Sequence, residues 1–96
     1  MKTLVWGESF KRVFKHVTHR QPELSQKVIH TLELLVEDPF QPLLHTHKLK
    51  GKLSGVWACT VDYDNRILFE FVKNPDLHQS DEEILLLTLG SHDEVY

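Results

Sequence analysis

The chain has 96 residues, of which 41% are hydrophobic and 26% charged, and its formal net charge at pH 7 is −3. This length suits one compact core, so we predict a single domain spanning residues 1–96. The one cysteine excludes an internal disulfide. No apolar run reaches the length of a signal-peptide core or a membrane span, so we expect a cytoplasmic protein that does not contact the membrane.

The charges are unevenly distributed along the chain. Residues 1–75 hold all eleven Lys and Arg and eight acids, which gives +3, whereas residues 76–96 hold six acids and no Lys or Arg, which gives −6. Lys48, Lys50 and Lys52 lie close together, with Arg66 following. Such a local basic patch can attract phosphates although the whole chain is mildly acidic, or it can be an ordinary solvated loop.

The first half of the chain predicts a strand followed by two helices. Residues 3–6 are rich in β-formers, and apolar residues then recur at helical spacing over residues 8–19. Pro22 is tolerated in a first helical turn, so a second helix can begin there, and Pro39 ends it. Because only a few residues connect the two helices, we expect an antiparallel helical hairpin.

The second half predicts three strands after a long connection. Residues 38–55 show no clear period, whereas residues 56–63, 66–72 and 83–89 are rich in aromatic and β-branched residues, with a tight turn at 64–65. The predicted fold class is therefore α+β. Its order is β-α-α-β-β-β, with an N-terminal strand, the helical hairpin and a three-stranded antiparallel meander, and the helices cover one face of an antiparallel sheet.

The alternation of side chains along the predicted strands leaves polar groups on the uncovered face. Thr60 and Asp62 are expected to share a face, as are Arg66 and Glu70. These groups could form the floor of a shallow site between the lysines and the C-terminal tail.

Other signals of chemistry are weaker. His45 and His47 have a spacing found in some metal sites, but no paired cysteines or second His/Asp cluster accompany them, so we predict no metal site. Cys59 lies within a predicted strand and is interpreted as a core thiol. In the tail, His92 and Tyr96 can both move protons, and Gly90 allows the chain to turn before them; alternatively they belong to an exposed tail.

Three stretches together resemble a known family. "HKLKG" before the second strand of the β-α-α-β-β-β order, "DNRILFEF" across the hairpin and "LGSHDEVY" at the end resemble the RelE/ParE superfamily of type II toxins, and most of all its YafQ-like and RelE-like mRNA interferases. The resemblance implies an endoribonuclease that cuts mRNA in the ribosomal A site, needs no metal or other cofactor, and binds a cognate antitoxin. It also implies attack of the 2′-hydroxyl on the adjacent phosphate.

The resemblance assigns roles to individual residues. His92 matches the catalytic position of the tail and is expected to be the general acid, and Tyr96 matches the terminal aromatic that holds or stacks on the substrate. Either His47 or Asp64 matches the base, and we favour His47 with Asp64 supporting it. Arg66 is expected at the scissile phosphate, and the basic stretch that contacts RNA comprises Lys48, Lys50 and Lys52.

The sequence departs from the family pattern at Thr60, where the YafQ-like branch often has a histidine and the RelE-like branch an arginine. Thr60 can supply neither function, so the identity of the base stays open. Two further functions also stay open, one because it shares the fold and the other because of Thr60. One is a ParE-like inhibitor of DNA gyrase that cuts nothing, and the other is a catalytically inactive toxin-fold protein that only binds an antitoxin.

Overall fold

The computed structural model describes residues 2–51, 55–73, 82–91 and 95. These residues form two helices, α1 (Glu8–Arg20) and α2 (Pro22–Glu37), a 3-10 turn (Pro42–Leu44), and five strands. The strands are β1 (Thr3–Trp6), β2 (His47–Lys48), β3 (Trp57–Thr60), β4 (Asn65–Lys73) and β5 (Glu82–Ser91), arranged in the sheet order β1-β5-β4-β3-β2. The predicted α+β class, with a helical hairpin followed by a meander, is confirmed.

The helices form where the apolar spacing predicts them. Phe10 and Val17 are the buried residues of α1, and α2 begins at Pro22 and ends at Glu37, before Pro39. Only Gln21 separates the two helices. Their apolar sides pack on one face of the sheet, in a core whose fully buried side chains include Phe10, Val28, Leu35, Ile67, Phe69, Ile84 and Leu86. None of the helices in the described part of the chain is both long and apolar enough to cross a membrane.

The sheet differs from the prediction in two places. Strand β1 runs parallel to β5, with Thr3 opposite Glu83 and Trp6 opposite Leu86, so the sheet is mixed and not antiparallel throughout. No hairpin links these two strands, which are separated by most of the chain, so no tight turn imposes an antiparallel pairing. Strand β2 was not predicted, because two residues are too few to reveal an alternating pattern.

The turn between β3 and β4 begins earlier than the sequence suggests. Asp62 Oδ1 accepts hydrogen bonds from the backbone N–H groups of Asp64 (3.0 Å) and Asn65 (2.8 Å), so the chain leaves the strand after Thr60. Asp62 Oδ2 lies 3.7 Å from Lys27 Nζ on α2. The expectation that Asp62 shares a face with Thr60 is therefore wrong, because strand alternation has ended before Asp62.

The face of the sheet opposite the helices, called the open face below, carries a smaller apolar cluster. Val56, Ala58 and Leu68 are buried there, and Leu49, Leu87 and Val95 pack against them. Leu68 pairs with Thr88 and Phe69 with Leu86, which leaves Leu87 as the extra residue of a β-bulge.

Candidate functional site

The strand register places two rows of residues on the open face. Thr60, Arg66 and Gly90 are neighbours across β3, β4 and β5. The second row contains His47, Ala58, Leu68 and Thr88. With strands about 4.8 Å apart and about 3.4 Å of rise per residue, the backbone positions of His47 and Arg66 are roughly 12 Å apart. His47 and Arg66 therefore lie on the same face of the sheet, in adjacent rows.

Arg66 is held by the hairpin that it follows. Its Nη1 donates hydrogen bonds to the carbonyl oxygens of Asp62 (2.7 Å), Tyr63 (3.1 Å) and Asn65 (3.0 Å). All three bonds use the same nitrogen, and within the described residues Nε and Nη2 make none. One edge of the guanidinium therefore fixes the turn, while the other has the geometry to bind two oxygens of a phosphate.

His47 is oriented by the backbone just before it. Its Nδ1 lies 2.9 Å from the carbonyl oxygen of His45. Because a carbonyl oxygen can only accept, Nδ1 must carry the hydrogen, and in the neutral ring Nε2 is then the nitrogen that can take a proton. This arrangement gives His47 the tautomer that a general base with Nε2 as its reactive atom requires.

The backbone of residues 45–47 has its own supports. His45 has a left-handed φ of 47° at the end of the 3-10 turn, and its N–H donates to the Pro42 carbonyl at 3.2 Å. The Thr46 hydroxyl donates to the carbonyl of Pro39. The His45 carbonyl that accepts from His47 is thus part of a fixed turn.

The lysines do not all lie beside His47. Lys48 is opposite Trp57, and its Nζ lies 6.0 Å from the centre of the Trp57 ring, which packs against the core beneath the helices. His47 and Lys48 therefore point to opposite faces of the sheet. Lys50 is exposed just beyond β2, and Lys52 lies outside the described residues.

Of the other predicted site residues, some lie near Arg66 and others are outside the described part of the chain. Asp64 is exposed in the turn before Arg66, and Thr60 is half-buried beside Arg66. His92 and Tyr96 lie outside the described residues. Val95, which comes just before Tyr96 in the sequence, packs against the apolar cluster of the open face.

No protein-family model matches the sequence, and no curated protein resembles it in sequence. Several solved structures share its fold. A YoeB/ParE toxin from Agrobacterium tumefaciens is 20% identical with a TM-score of 0.76, over 96% of this chain and 99% of that one. A copper-bound mutant toxin from Helicobacter pylori is 28% identical, with a TM-score of 0.69 over the full length of both chains. The YafQ toxin in the DinJ–YafQ complex from E. coli is 14% identical, with a TM-score of 0.73 over 100% of this chain and 99% of that one. The chain has the RelE/ParE toxin fold.

In this RelE/ParE fold, Cys59 is part of the core. Burial raises the pKa of the Cys59 thiol to about 12, although a backbone hydrogen bond at Ile67 and the charge of Arg66 act in the opposite direction. Since the thiolate is the reactive form of cysteine, the side chain is not a nucleophile near neutral pH. The interpretation of Cys59 as a core thiol is confirmed.

The described part of the candidate site contains no metal-binding cluster. Among the residues that the structure describes, no three His, Cys, Asp or Glu side chains are grouped so that they could hold a metal ion.

A cleft that no sequence pattern indicated lies on the other side of β5. Its volume is about 500 Å³ and it is lined by Arg12, Val13, His16, Thr88, Leu89 and Val95. Arg12 and His16 are four residues apart on α1 and therefore lie on the same side of the helix. This spacing was visible in the sequence, but nothing in the sequence predicts that the end of β5 and Val95 lie beside it.

Proposed function

We propose that this chain is the toxin of a type II toxin–antitoxin system and that it cleaves mRNA in the ribosomal A site. The fold supports the first part, because structures with this fold include the DinJ–YafQ toxin–antitoxin complex from E. coli and the YoeB–YefM complex from Staphylococcus aureus. By analogy the partner is a small cognate antitoxin. The site of action is the cytoplasm, where mRNA is translated.

One observation carries the nuclease proposal. Nδ1 of His47 is hydrogen-bonded to the His45 carbonyl, so in the neutral ring Nε2 is the nitrogen without a hydrogen, and His47 lies on the same sheet face as Arg66. Cleavage by an internal hydroxyl requires a base near the 2′-oxygen and positive charge at the in-line phosphate. The pair has the chemical types that these two roles require, on one face of the sheet.

The proposed reaction is an in-line displacement at phosphorus. His47 Nε2 takes the proton of the 2′-hydroxyl as the 2′-oxygen forms a bond to the adjacent phosphorus, and Arg66 stabilises the charge on the phosphate oxygens. The bond from phosphorus to the 5′-oxygen breaks, and His92 gives a proton to that oxygen. The products are a 2′,3′-cyclic phosphate and a free 5′-hydroxyl, and the step requires neither a metal nor another cofactor.

The remaining residues have supporting roles in this proposal. Tyr96 holds or stacks on the substrate, and Asp64 supports His47 electrostatically from the hairpin turn. Lys50 and Lys52 contact RNA phosphates along the loop. Lys48 lies against Trp57 on the other face, so its contribution to RNA binding comes from its charge at the sheet edge.

A second candidate function is favoured by the bonds of Arg66. Because Nη1 of Arg66 fixes three carbonyls of the hairpin turn, this arginine has a structural purpose that is independent of catalysis. A toxin-fold protein that inhibits gyrase, or that only binds an antitoxin, would retain the same bonds. The presence of Thr60 beside Arg66 is compatible with this alternative.

Brief expression in bacteria, followed by primer extension on a translated message, separates these functions. Cuts inside codons that disappear in His47→Ala, His92→Ala and Tyr96→Ala support the nuclease, and His30→Ala is the matched control, since His30 is exposed on α2. Trapped gyrase with intact message identifies the gyrase inhibitor. Intact message and unaffected growth identify the antitoxin-binding protein, and unchanged growth inhibition in the His92 and Tyr96 variants would contradict the acid–base mechanism.

A further inference from the structure

The cleft between α1 and the end of β5 has a basic lining. Of the described residues that line it, Arg12 is the only formally charged one and none is a carboxylate, and His16 lies one helical turn further along α1. Both side chains are exposed. The cleft beside Phe40, in contrast, is lined by Glu37, Asp38 and Glu82 together with a single lysine. The first cleft is therefore suited to an anion, and the second is not.

The basic cleft adjoins the open face of the sheet. Thr88 lines it and also occupies the β5 end of the row that begins with His47 on β2. Val95 lines it as well and packs against the apolar cluster of the open face. Three strand spacings separate His47 from Thr88, which is about 14 Å at 4.8 Å per spacing. A short stretch of extended single-stranded RNA can span that distance.

We propose that Arg12 and His16 bind a backbone phosphate of the mRNA, away from the phosphate that is cut. This inference rests on the proposed nuclease function and extends its substrate site from the open face to α1. The guanidinium of Arg12 offers paired N–H donors to phosphate oxygens, and the imidazole of His16 and the hydroxyl of Thr88 offer further polar contacts. The apolar side chains of Val13, Leu89 and Val95 also line the cleft, where a sugar or base can pack.

Contacts of this kind have a recognisable signature in binding experiments. A phosphate contact binds all sequences alike and releases counterions, so its loss weakens binding and also makes the affinity less sensitive to salt. A residue that only stabilises the helix does not change the salt dependence. The slope of affinity against salt is therefore the measurement that identifies a phosphate contact.

The test uses the full chain and a short single-stranded RNA in which every 2′-hydroxyl is methylated, so that it binds but cannot be cut. Fluorescence anisotropy at several salt concentrations compares Arg12→Gln and His16→Gln with Lys15→Gln and His19→Gln. The control residues lie on the same helix and are exposed, but they are not part of the cleft lining. Circular dichroism verifies that all four variants are folded.

We expect Arg12→Gln to weaken binding about three- to tenfold and to lower the salt slope by roughly 1. His16→Gln should weaken binding less, and both control variants should match the wild type in slope. If Arg12→Gln and Lys15→Gln behave alike, the proposal is wrong. If Arg12→Gln binds RNA normally but loses affinity for the antitoxin, the cleft binds a protein and the proposal is also wrong.

The same experiment distinguishes this proposal from the function on which it rests. Wild-type protein that binds the methylated RNA through Arg12, yet leaves an unmodified translated message intact, would support the phosphate site and contradict the nuclease. Protein that cuts the message, with Arg12→Gln indistinguishable from Lys15→Gln in binding and cutting, would support the nuclease and contradict the phosphate site.

Discussion

Arg66 stands directly opposite Gly90 in the neighbouring strand β5, and Thr60 stands opposite it on the other side, in β3. The guanidinium is thus flanked by a small hydroxyl and by a residue without a side chain. Its Nη1 is bonded to the hairpin carbonyls, whereas Nε and Nη2 make no hydrogen bond within the described residues. Arg66 is therefore suited both to holding the turn and to contacting a phosphate.

We expect Arg66→Lys and Arg66→Ala to separate these two roles. The alanine variant loses the bonds to the turn and should lower the free energy of unfolding by about 1–3 kcal/mol. The lysine variant keeps the charge, but its compact ammonium cannot bridge the turn carbonyls and a phosphate together. Urea unfolding measures the first effect and mRNA cleavage the second. Cleavage at the wild-type rate by folded Arg66→Lys would show that the planar guanidinium is not needed at the phosphate.

The left-handed conformation of His45 yields a prediction about His47. Valine strongly disfavours positive φ and glycine does not, so His45→Val should displace the carbonyl that accepts from His47 Nδ1, whereas His45→Gly should preserve it. We expect cleavage to fall at least several-fold in the valine variant and to persist in the glycine variant. Nitrogen-15 NMR of the His47 ring provides a direct check, and a wild-type ring with its hydrogen on Nε2 would contradict the assignment.

Gly7 joins β1 to α1 where there is no room for a side chain. A Cβ there would lie 2.5 Å from the carbonyl oxygen of Leu86, which accepts the Gly7 N–H at 3.0 Å. Gly7→Ala should therefore shift the backbone and destabilise the protein by about 1–3 kcal/mol in urea unfolding. Gly51→Ala is the control, because among the described residues a Cβ there would meet nothing within 4 Å apart from its chain neighbours. Its only cost should be about 1–2 kcal/mol for placing alanine at a φ of +72°. A Gly7→Ala variant as stable as wild type would show that β5 can move aside.

Cys59 should react with thiol reagents only when the protein unfolds. It is fully buried, and burial raises its pKa to about 12, so near pH 8 very little thiolate is present and the reagent has no access. Labelling with iodoacetamide, followed by mass spectrometry, should proceed slowly in buffer and rapidly in denaturant. Rapid labelling of the native protein would indicate that β3 opens locally.

Features that depend on neighbouring residues could be predicted from the sequence, whereas features that depend on distant residues could not. The stripe that contains Phe10 and Val17 depends only on spacing within one helix, and it located α1 within one residue at its C-terminal end. The parallel pairing of Thr3 with Glu83 depends on residues eighty positions apart, which no local pattern records. Strand β2 has only two residues, which is too few for an alternating pattern to be detected. It is this strand that places His47 and Lys48 on opposite faces of the sheet.

The hairpin shows how side-chain hydrogen bonds can override a strand pattern. The sequence favours a strand through Asp62. In the structure the Asp62 carboxylate instead accepts hydrogen bonds from the N–H groups of Asp64 and Asn65, which stabilise a turn. Because the turn begins before Asp62, Asp62 faces α2, whereas Arg66 and Thr60 lie on the open face. The secondary-structure propensity of Asp62 alone does not decide between a strand and a turn, because Asp is common both in turns and at strand ends.

Asp62 also makes stability depend on pH in a defined direction. Burial tends to raise its pKa, but hydrogen bonds from the Asn65 side chain and from the backbone of Asn65 and Asp64, together with the charge of Lys27, outweigh burial and lower the pKa below its ordinary value of 3.8. A carboxyl group whose pKa is lower in the folded state stabilises the fold at every pH above the unfolded value. That contribution is lost as the pH falls through the folded value.

We therefore expect the stability difference between wild type and Asp62→Asn to be constant from neutral pH down to about 5 and to shrink below about pH 4. Urea unfolding of both proteins over that range measures it. Asp64→Asn is the control, since within the described residues the Asp64 side chain makes no hydrogen bond or ion pair, and its stability should stay near that of wild type. A wild-type advantage over Asp62→Asn that persists undiminished at pH 3 would mean that Asp62 holds the turn through its shape and not through its charge.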